Sequence, residues 1–371
     1  MKFLFLEPFF GGSHQDFAEG LIEHSAHDID LISLPARFWK WRMRGAALHF
    51  IRRITNLNQY DGLIVTDLMS LADFKALAGA DCPPALVYFH ENQLTYPLAP
   101  GESRDFQFGF TDITTALAAE QILFNSKTHF NAFFASLPGF LNMMPEYHPK
   151  WVIRAIRDKA DVLHPGCRFS AAVDTNFQKP SPPLIVWNHR WEFDKNPGEF
   201  FSVLDATVDR GIDFRLALLG ENFQVVPKDF IAARERLGER IIRYGYVESK
   251  AEYREYLARG SVVISTANQE NFGISIVEAV RHGCLPLLPN RLAYPEILPV
   301  PFHNDFLYSN TAEMAEKLAC MLSENGRFET ARKKLACDMS SYAWENLIGR
   351  YDEVLAKLPG ARQSARVCSQ D

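Results

Sequence analysis

Cysteine is sparse in this 371-residue chain, and the six that occur, Cys82, Cys167, Cys284, Cys320, Cys337 and Cys368, form no C-x-x-C pair and no Cys/His cluster at zinc spacing. That excludes a zinc module, and the thiols read as reduced ones in a cytoplasmic protein. Long apolar runs are missing too. None approaches the roughly 18 to 20 residues that cross a bilayer, so membrane contact would have to be peripheral and not integral. The opening Met1-Lys2-Phe3-Leu4-Phe5-Leu6 imitates a signal peptide, but Glu7 and Pro8 cut it short, and it reads better as a buried first strand. Repeats and low-complexity tracts are also absent. What remains, 47% apolar and 23% charged residues, has the balance of a globular chain, long enough for about two domains.

Short apolar runs alternate with stretches of helical length throughout. Lys2 to Glu7, Ile29 to Leu34, Gly62 to Thr66, Ala85 to Phe89 and Ile122 to Phe124 read as strands of one parallel sheet. Leu184 to Trp187, Phe214 to Leu219, Ile241 to Tyr244, Val262 to Ser265 and Leu285 to Leu288 read as strands of a second. Between them lies Thr175-Asn176-Phe177-Gln178-Lys179-Pro180-Ser181-Pro182-Pro183, polar and Pro-rich, which cannot continue a helix. The expected organisation is therefore α/β, with doubly wound domains at 1–174 and 184–340 and a linker at 175–183. The spacing from 341 to 358 is helical, and 359–371 reads as a mobile tail. In open parallel sheets ligands gather beyond the carboxyl ends of strands, so the residues just after each run carry the functional interest.

After Val262-Val263-Ile264-Ser265 comes Gln269-Glu270-Asn271-Phe272-Gly273-Ile274-Ser275-Ile276-Val277-Glu278, a strand, a turn and a helix with a carboxylate at each edge. A helix starting near Gly273 points its free N–H groups and positive dipole end at an anion. Fully helical spacing puts Glu270 and Glu278 roughly 12 Å apart, which suits a nucleotide sugar with its diphosphate between sugar and ribose. A capped helix with an incidental Glu is the plainer alternative. After Leu184 to Trp187, Arg190 and Lys195 are placed to meet a polyanion, Arg by bidentate grip and Lys as a point charge; loop cations are also commonly just solvated. Gly11 and Gly12 follow the first strand and either admit a phosphate or sugar or form a turn before a Ser13 N-cap.

One further absence is local: no acidic residue stands between Asp30 and Asp61, where Arg37, Lys40, Arg42, Arg44, Arg52 and Arg53 are interleaved with Phe38, Trp39, Trp41 and Phe50. In a chain of net charge −6 this basic, aromatic stretch suits RNA, whose phosphates and unstacked bases it can engage. An amphipathic helix with its aromatics in the core, or attraction to anionic lipid, explains the composition equally well.

The order Ile242-Arg243-Tyr244-Gly245-Tyr246-Val247, Glu270-Asn271-Phe272-Gly273-Ile274, Glu278, Gly283-Cys284-Leu285-Pro286 and Pro295-Glu296-Ile297 resembles the nucleotide-sugar half of GT-B retaining glycosyltransferases of family 4. Phe10-Gly11-Gly12-Ser13-His14, Leu34-Pro35-Ala36-Arg37-Phe38-Trp39-Lys40-Trp41-Arg42 and Phe89-His90-Glu91-Asn92-Gln93-Leu94-Thr95-Tyr96-Pro97 resemble the tRNA-queuosine alpha-mannosyltransferase group. The resemblance covers nearly the whole chain. It implies two Rossmann-like domains facing a cleft, with the C-terminal helix packing back across them. It also implies transfer of mannose from GDP-mannose to queuosine in a tRNA anticodon loop, with retention.

By the same resemblance, Glu270 holds donor-sugar hydroxyls and Glu278 the ribose, while Arg190 and Lys195 take the diphosphate. Tyr246 and Val247 lie beside the nucleobase, Gly12 approaches the donor phosphate, and Asn271, Phe272, Gly273 and Ile274 complete the donor loop. His90 is placed near the transferred sugar as a catalytic partner of Glu270. Ser13, His14, Arg37, Lys40, Arg42, Glu91, Asn92 and Gln93 fall on the acceptor side, Glu91 as an auxiliary base. The chain departs from the family pattern where Gly-Arg becomes His189-Arg190 and Lys-Gly becomes Lys195-Asn196, which leaves the local backbone path open. Departure of a diphosphate with same-face attack requires no metal or other cofactor. The motif of metal-dependent relatives, Asp-x-Asp after a strand, is not matched by Asp28-Ile29-Asp30, which precedes one. A lipid or other glycan acceptor, or a nucleotide-sugar-binding protein without turnover, are the alternatives.

Overall fold

Along the first strand Phe3 and Phe5 turn to one face and Leu4 and Leu6 to the other, and all four are completely buried. A strand apolar on both faces belongs inside a parallel sheet covered on both sides. The computed structural model describes residues 1–99, 101–169, 178–221 and 226–367. In it the strand is β1 (Lys2–Phe10), followed by β2 (Asp28–Pro35), β3 (Gly62–Thr66), β4 (Ala85–Phe89), β5 (Gln121–Phe124) and β6 (Ala160–Val162). They pair in parallel in the order β2-β1-β3-β4-β5-β6.

The second sheet holds β7 (Leu184–Trp187), β8 (Arg215–Leu218), β9 (Ile241–Tyr244), β10 (Val262–Ile264), β11 (Leu285–Pro289) and β12 (Leu307–Tyr308). Its order is β12-β11-β10-β7-β8-β9, again parallel. In each sheet the strand order reverses once, between β1 and β3 and between β7 and β10. Connections there leave toward opposite faces, which opens a crevice at the carboxyl ends of those strands.

The chain divides into a unit of Met1–Arg168 with Tyr342–Asp371 and a unit of Phe169–Ser341. The break falls after 168, earlier than the linker read at 175–183; part of that linker, 175–177, lies outside the described residues. The C-terminal helix Trp344–Val367 belongs to the first unit. Its Trp344, Leu347, Tyr351, Leu355 and Leu358 cover the sheet face that carries Phe3 and Phe5. Where helix Gly12–His24 meets it, Gly20 leaves no room for a side chain: a Cβ would stand 1.9 Å from Trp344 Nε1. The tail expected from 359 is helical to Val367. Ala361, Arg362, Gln363, Ala365 and Arg366 are good helix formers, set against interior costs of about 3 kcal/mol for Pro359 and about 1 kcal/mol for Gly360. Residues 368–371 lie outside the described ones.

Candidate active site

Each unit gathers polar residues at its own strand-order reversal. In the second unit β7 leads into Asn188, His189 and Arg190, and β10 into the loop that carries Glu270. Helix Ile274–Arg281 begins behind Gly273, which takes φ 97° and ψ 43° and gives no side-chain cap. The first N–H groups of that helix are thus left for an anion. Because helix starts only at Ile274, the 12 Å figure for fully helical spacing does not apply to Glu270 and Glu278. Glu278 accepts a hydrogen bond from the Tyr253 hydroxyl at 3.4 Å. Asn188 Nδ2 donates to the Tyr253 oxygen at 3.0 Å and to the Ser275 carbonyl at 2.7 Å. Burial and the neighbouring Glu278 raise the Tyr253 hydroxyl well above its ordinary pKa, so it stays a donor.

Lys195 is buried, not a mobile cation on the surface. Its Nζ donates to the Gln269 carbonyl at 2.6 Å and lies 3.1 Å from Asp194 and 3.6 Å from Glu270. Burial works against its charge, but Glu270 and Asp194 more than offset that and raise its pKa. Lys195 therefore ties the turn after β7 to the loop after β10. Asn196 follows in the left-handed region, φ 52° and ψ 57°. Asn is among the non-Gly residues that tolerate that conformation best, which suits it to this position. His189 is buried, its carbonyl so near Gly220 that a Cβ there would fall 1.7 Å away. Burial and the charges of Lys195 and Arg190 keep its imidazole neutral. Arg190 is exposed, with Glu192 at 3.3 Å. Tyr246 is exposed and Val247 buried; Asn271 and Ile274 are half-buried and Phe272 is buried.

In the first unit Gly11 is the N-cap of helix Gly12–His24, with no side-chain cap, so Ser13 is an exposed helix residue and not the cap. Gly12 has φ 54°. His14 is buried against Glu7, Nδ1 to Oε1 3.3 Å, and its ring lies 4.0 Å from that of half-buried His90. The His90 N–H donates to Asp67 at 2.8 Å. Burial opposes a charge on His14, yet Glu7, then Asp67 and Glu91, raise its pKa to about 9. Burial, together with the charges on His14 and His129, pushes His90 well below the ordinary histidine range. Donor atoms of Glu7, His14 and His90 lie within 4.8 Å of one another. Within this trio Glu7 and His14 stand at ion-pair distance.

Asn92 is held within its own turn. It is buried, its Oδ1 accepts from the N–H groups of Leu94 and Thr95, and its Nδ2 donates to Thr95 Oγ1 and His129 Nε2 at 2.9 and 2.8 Å. These bonds fix the turn from Asn92 to Thr95. Gln93 is half-buried; its N–H is held by Asp112 at 2.6 Å and its side chain donates to Glu91 at 3.1 Å. Arg37 and Lys40 are exposed, while Arg42 is half-buried and donates to the Pro35 carbonyl at 3.4 Å. Burial, then Arg37, lowers the Arg42 pKa. Phe38 and Trp41 are 68% and 78% exposed. Of the aromatics in this stretch only Phe50 sits in the core, so the reading of an inward aromatic face fails for helix Trp39–Ile51.

Sequence reasoning missed Glu7, Asp67, Asp112, His129, Asn188 and Asp194. Glu7 had a signal: a carboxylate within an otherwise apolar buried strand needs partners. The others are single polar residues in loops or helices, unremarkable until the strand ends bring them together.

Two family descriptions match: "tRNA-queuosine alpha-mannosyltransferase N-terminal" over residues 2–167 and "Glycosyl transferases group 1" over residues 173–343. A tRNA-queuosine alpha-mannosyltransferase of Drosophila melanogaster is 38% identical over 327 residues, 85% of each chain. A GDP-mannose:cellobiosyl-diphosphopolyprenol alpha-mannosyltransferase of Xanthomonas oryzae is 26% identical over 173 residues, 45% of each. Among solved structures, a sucrose-phosphate synthase of Thermosynechococcus elongatus superposes with TM-score 0.74 at 14% identity, covering 97% of this chain and 100% of that one. The fold is thus the GT-B arrangement of two Rossmann-like sheets, as the sequence implied.

Proposed function

The chain belongs to the tRNA-queuosine alpha-mannosyltransferase family, and on that premise we propose that it moves mannose from GDP-mannose to the cyclopentenediol of queuosine in a tRNA anticodon loop, with the anomeric configuration retained. The observation that carries the RNA acceptor is the exposure of Phe38, just before helix Trp39–Ile51, and of Trp41 within it, in a stretch that holds Arg37 and Lys40 and has no acidic residue from 31 to 60. Aromatic faces stack on unpaired bases while the cations meet phosphate, the combination that single-stranded loops call for.

For the donor, the open N-terminus of helix Ile274–Arg281 takes the diphosphate, with Arg190 and Lys195 as cations, Glu270 toward the hexose and Glu278 toward the ribose. Tyr246 and Val247 border the base, and Asn271, Phe272, Gly273 and Ile274 form the loop. Lys195 and Glu270 neutralise each other until the donor arrives; then the lysine turns to phosphate and the carboxylate to sugar hydroxyls. Charge building on the leaving diphosphate is stabilised by these cations and N–H groups, and holding acceptor and donor together supplies orientation. His90 contacts the transferred sugar, with Glu91, Gln93 and Ser13 toward the acceptor. The reaction so described needs no metal, and with tRNA as acceptor we read the chain as cytoplasmic. Among the described residues no helix is long and apolar enough to cross a membrane.

The test supplies labelled nucleotide sugars with either queuosine-containing tRNA or a diphosphopolyprenol glycan. Label from GDP-mannose should enter RNA alone. Entry into the lipid fraction, or into neither, defeats the reading.

A further inference from the structure

His14 and His90 stand side by side at the first unit's strand-order reversal, rings 4.0 Å apart and tilted 34°, yet their surroundings differ. Glu7, on β1, is completely buried, and its Oε1 receives the Phe9 N–H at 2.8 Å and the Thr66 hydroxyl at 3.2 Å and lies 3.3 Å from His14 Nδ1. Neither its other oxygen, Oε2, nor His14 Nδ1 makes a hydrogen bond, so the pair is one of charge. A carboxylate so enclosed needs a counter-charge, because an unpaired buried charge costs several kcal/mol or more, and His14 is the cation beside it. Also facing His14 are Asp67 beyond β3, and Glu91 and the His90 ring beyond β4, with the Phe9 ring at 5.8 Å. His90 packs on Phe17 at 5.0 Å and Tyr88 at 4.8 Å and feels His129 from helix Lys127–Asn142. Two adjacent imidazoles cannot both carry a proton cheaply; Glu7 touches only one of them.

We propose that Glu7 is a positioning residue of the acceptor half-site: it fixes His14 as an imidazolium, and so leaves His90 as the neutral partner able to accept a hydrogen bond from a hydroxyl. Environments that separate two titrating groups in this way assign donor and acceptor roles within a site. The catalytic use of the pair rests on the transferase reading, whereas the assignment of charge does not.

The charge assignment is tested by NMR titration of the full chain carrying isotope-labelled histidine, with His14→Gln and His90→Gln identifying the resonances. In the parent chain His14 should titrate near 9 and His90 should stay neutral across the neutral range. In Glu7→Gln the His14 midpoint should fall by about two pH units, and Glu7→Asp should restore most of it. An unshifted midpoint in Glu7→Gln overturns the proposal. So does a His14 that is neutral at pH 7.5 in the parent chain, a result that needs no variant to fold. The activity arm follows kcat/KM against pH. Glu7→Gln should lose activity from about pH 6.5 upward, where the parent chain holds to about 9, with KM for GDP-mannose unchanged. A profile that falls equally at every pH assigns Glu7 a merely structural part. A parent chain inactive toward tRNA but titrating as stated defeats the transferase reading and keeps the ion pair.

Discussion

Asn196 shows how a departure from a family pattern is absorbed at a single residue. Its φ of 52° lies in the left-handed region that glycine adopts freely, and Asn reaches it at small cost. Asn196→Gly should therefore leave the melting temperature nearly unchanged, whereas Asn196→Val should destabilise by roughly 1 to 2 kcal/mol, read by thermal unfolding. Lys195, one position earlier, was legible as a cation at the right place but not as a buried one. Its three partners come from the same turn and from the loop after β10, 74 residues on, and such pairing depends on strand order, which no local pattern encodes. The Lys195–Glu270 contact makes a second prediction. Glu270→Ala should lower kcat/KM for transfer by at least about 100-fold, yet bind GDP as tightly or tighter, because it releases the lysine. Loss of GDP binding in that variant would contradict the assignment of Glu270 to the sugar. Buried titrating groups set the alkaline limit of stability. His14 has a folded pKa raised from 6.5 to about 9, so the folded chain holds that proton more firmly than the unfolded chain does. Its contribution is complete below pH 6.5 and is lost as pH rises to about 9. Asp67 and Asp112, both raised by burial, act in the same direction. The melting temperature should fall between pH 6.5 and 9, and less so in His14→Gln.

At the scale of elements, helix Trp39–Ile51 and its entry are unusual. Phe38 stands before it at φ 58° and ψ 48°, a genuine outlier for a bulky residue, and strain of this kind tends to collect at functional sites. Trp39 is held by Phe108, ring centroids 5.2 Å apart, while Trp41 is left outside. Trp41→Ala and Phe38→Ala should each weaken tRNA binding by about 1 to 3 kcal/mol, with GDP-mannose binding unaffected. Lys40→Ala should weaken it for every RNA sequence and flatten the salt dependence by about 0.7 in log–log slope, measured by filter binding across ionic strengths. Unaltered RNA affinity in all three would remove this helix from the interface. Composition pointed to the stretch but could not separate an inward aromatic face from an outward one, since both show the same residues. The long buried strands were legible because an apolar run of five in a covered sheet has few other uses. β6 and β12, three and two residues long, hold too little sequence to show any pattern and exist because a neighbouring strand offers its edge. The C-terminal helix owes its place to Trp344 and Tyr351, both fully buried, and to Asp352, which accepts from Ser25 Oγ at 2.6 Å. Its length past 358 was missed because Pro359 and Gly360 read as a stop.

Across the whole molecule, two sheets of the same construction each reverse their strand order once, and both candidate half-sites lie at those reversals. The alternation of strands and helices made the two sheets legible, and the glycine, carboxylate and basic motifs after the strands marked the ends that matter. Strand order itself was not legible, and with it went Glu7, Asp67 and Asp112, whose meaning comes only from the strands that converge on them. On the proposed function, one half-site activates mannose and the other presents queuosine. This is tested most directly by the masses of nucleosides released from tRNA after incubation with the chain and GDP-mannose, comparing tRNA that carries queuosine with the same tRNA carrying unmodified guanosine. Queuosine should gain one hexose, and the guanosine tRNA should gain nothing. A queuosine of unchanged mass, or equal gain on both RNAs, would contradict the proposed function.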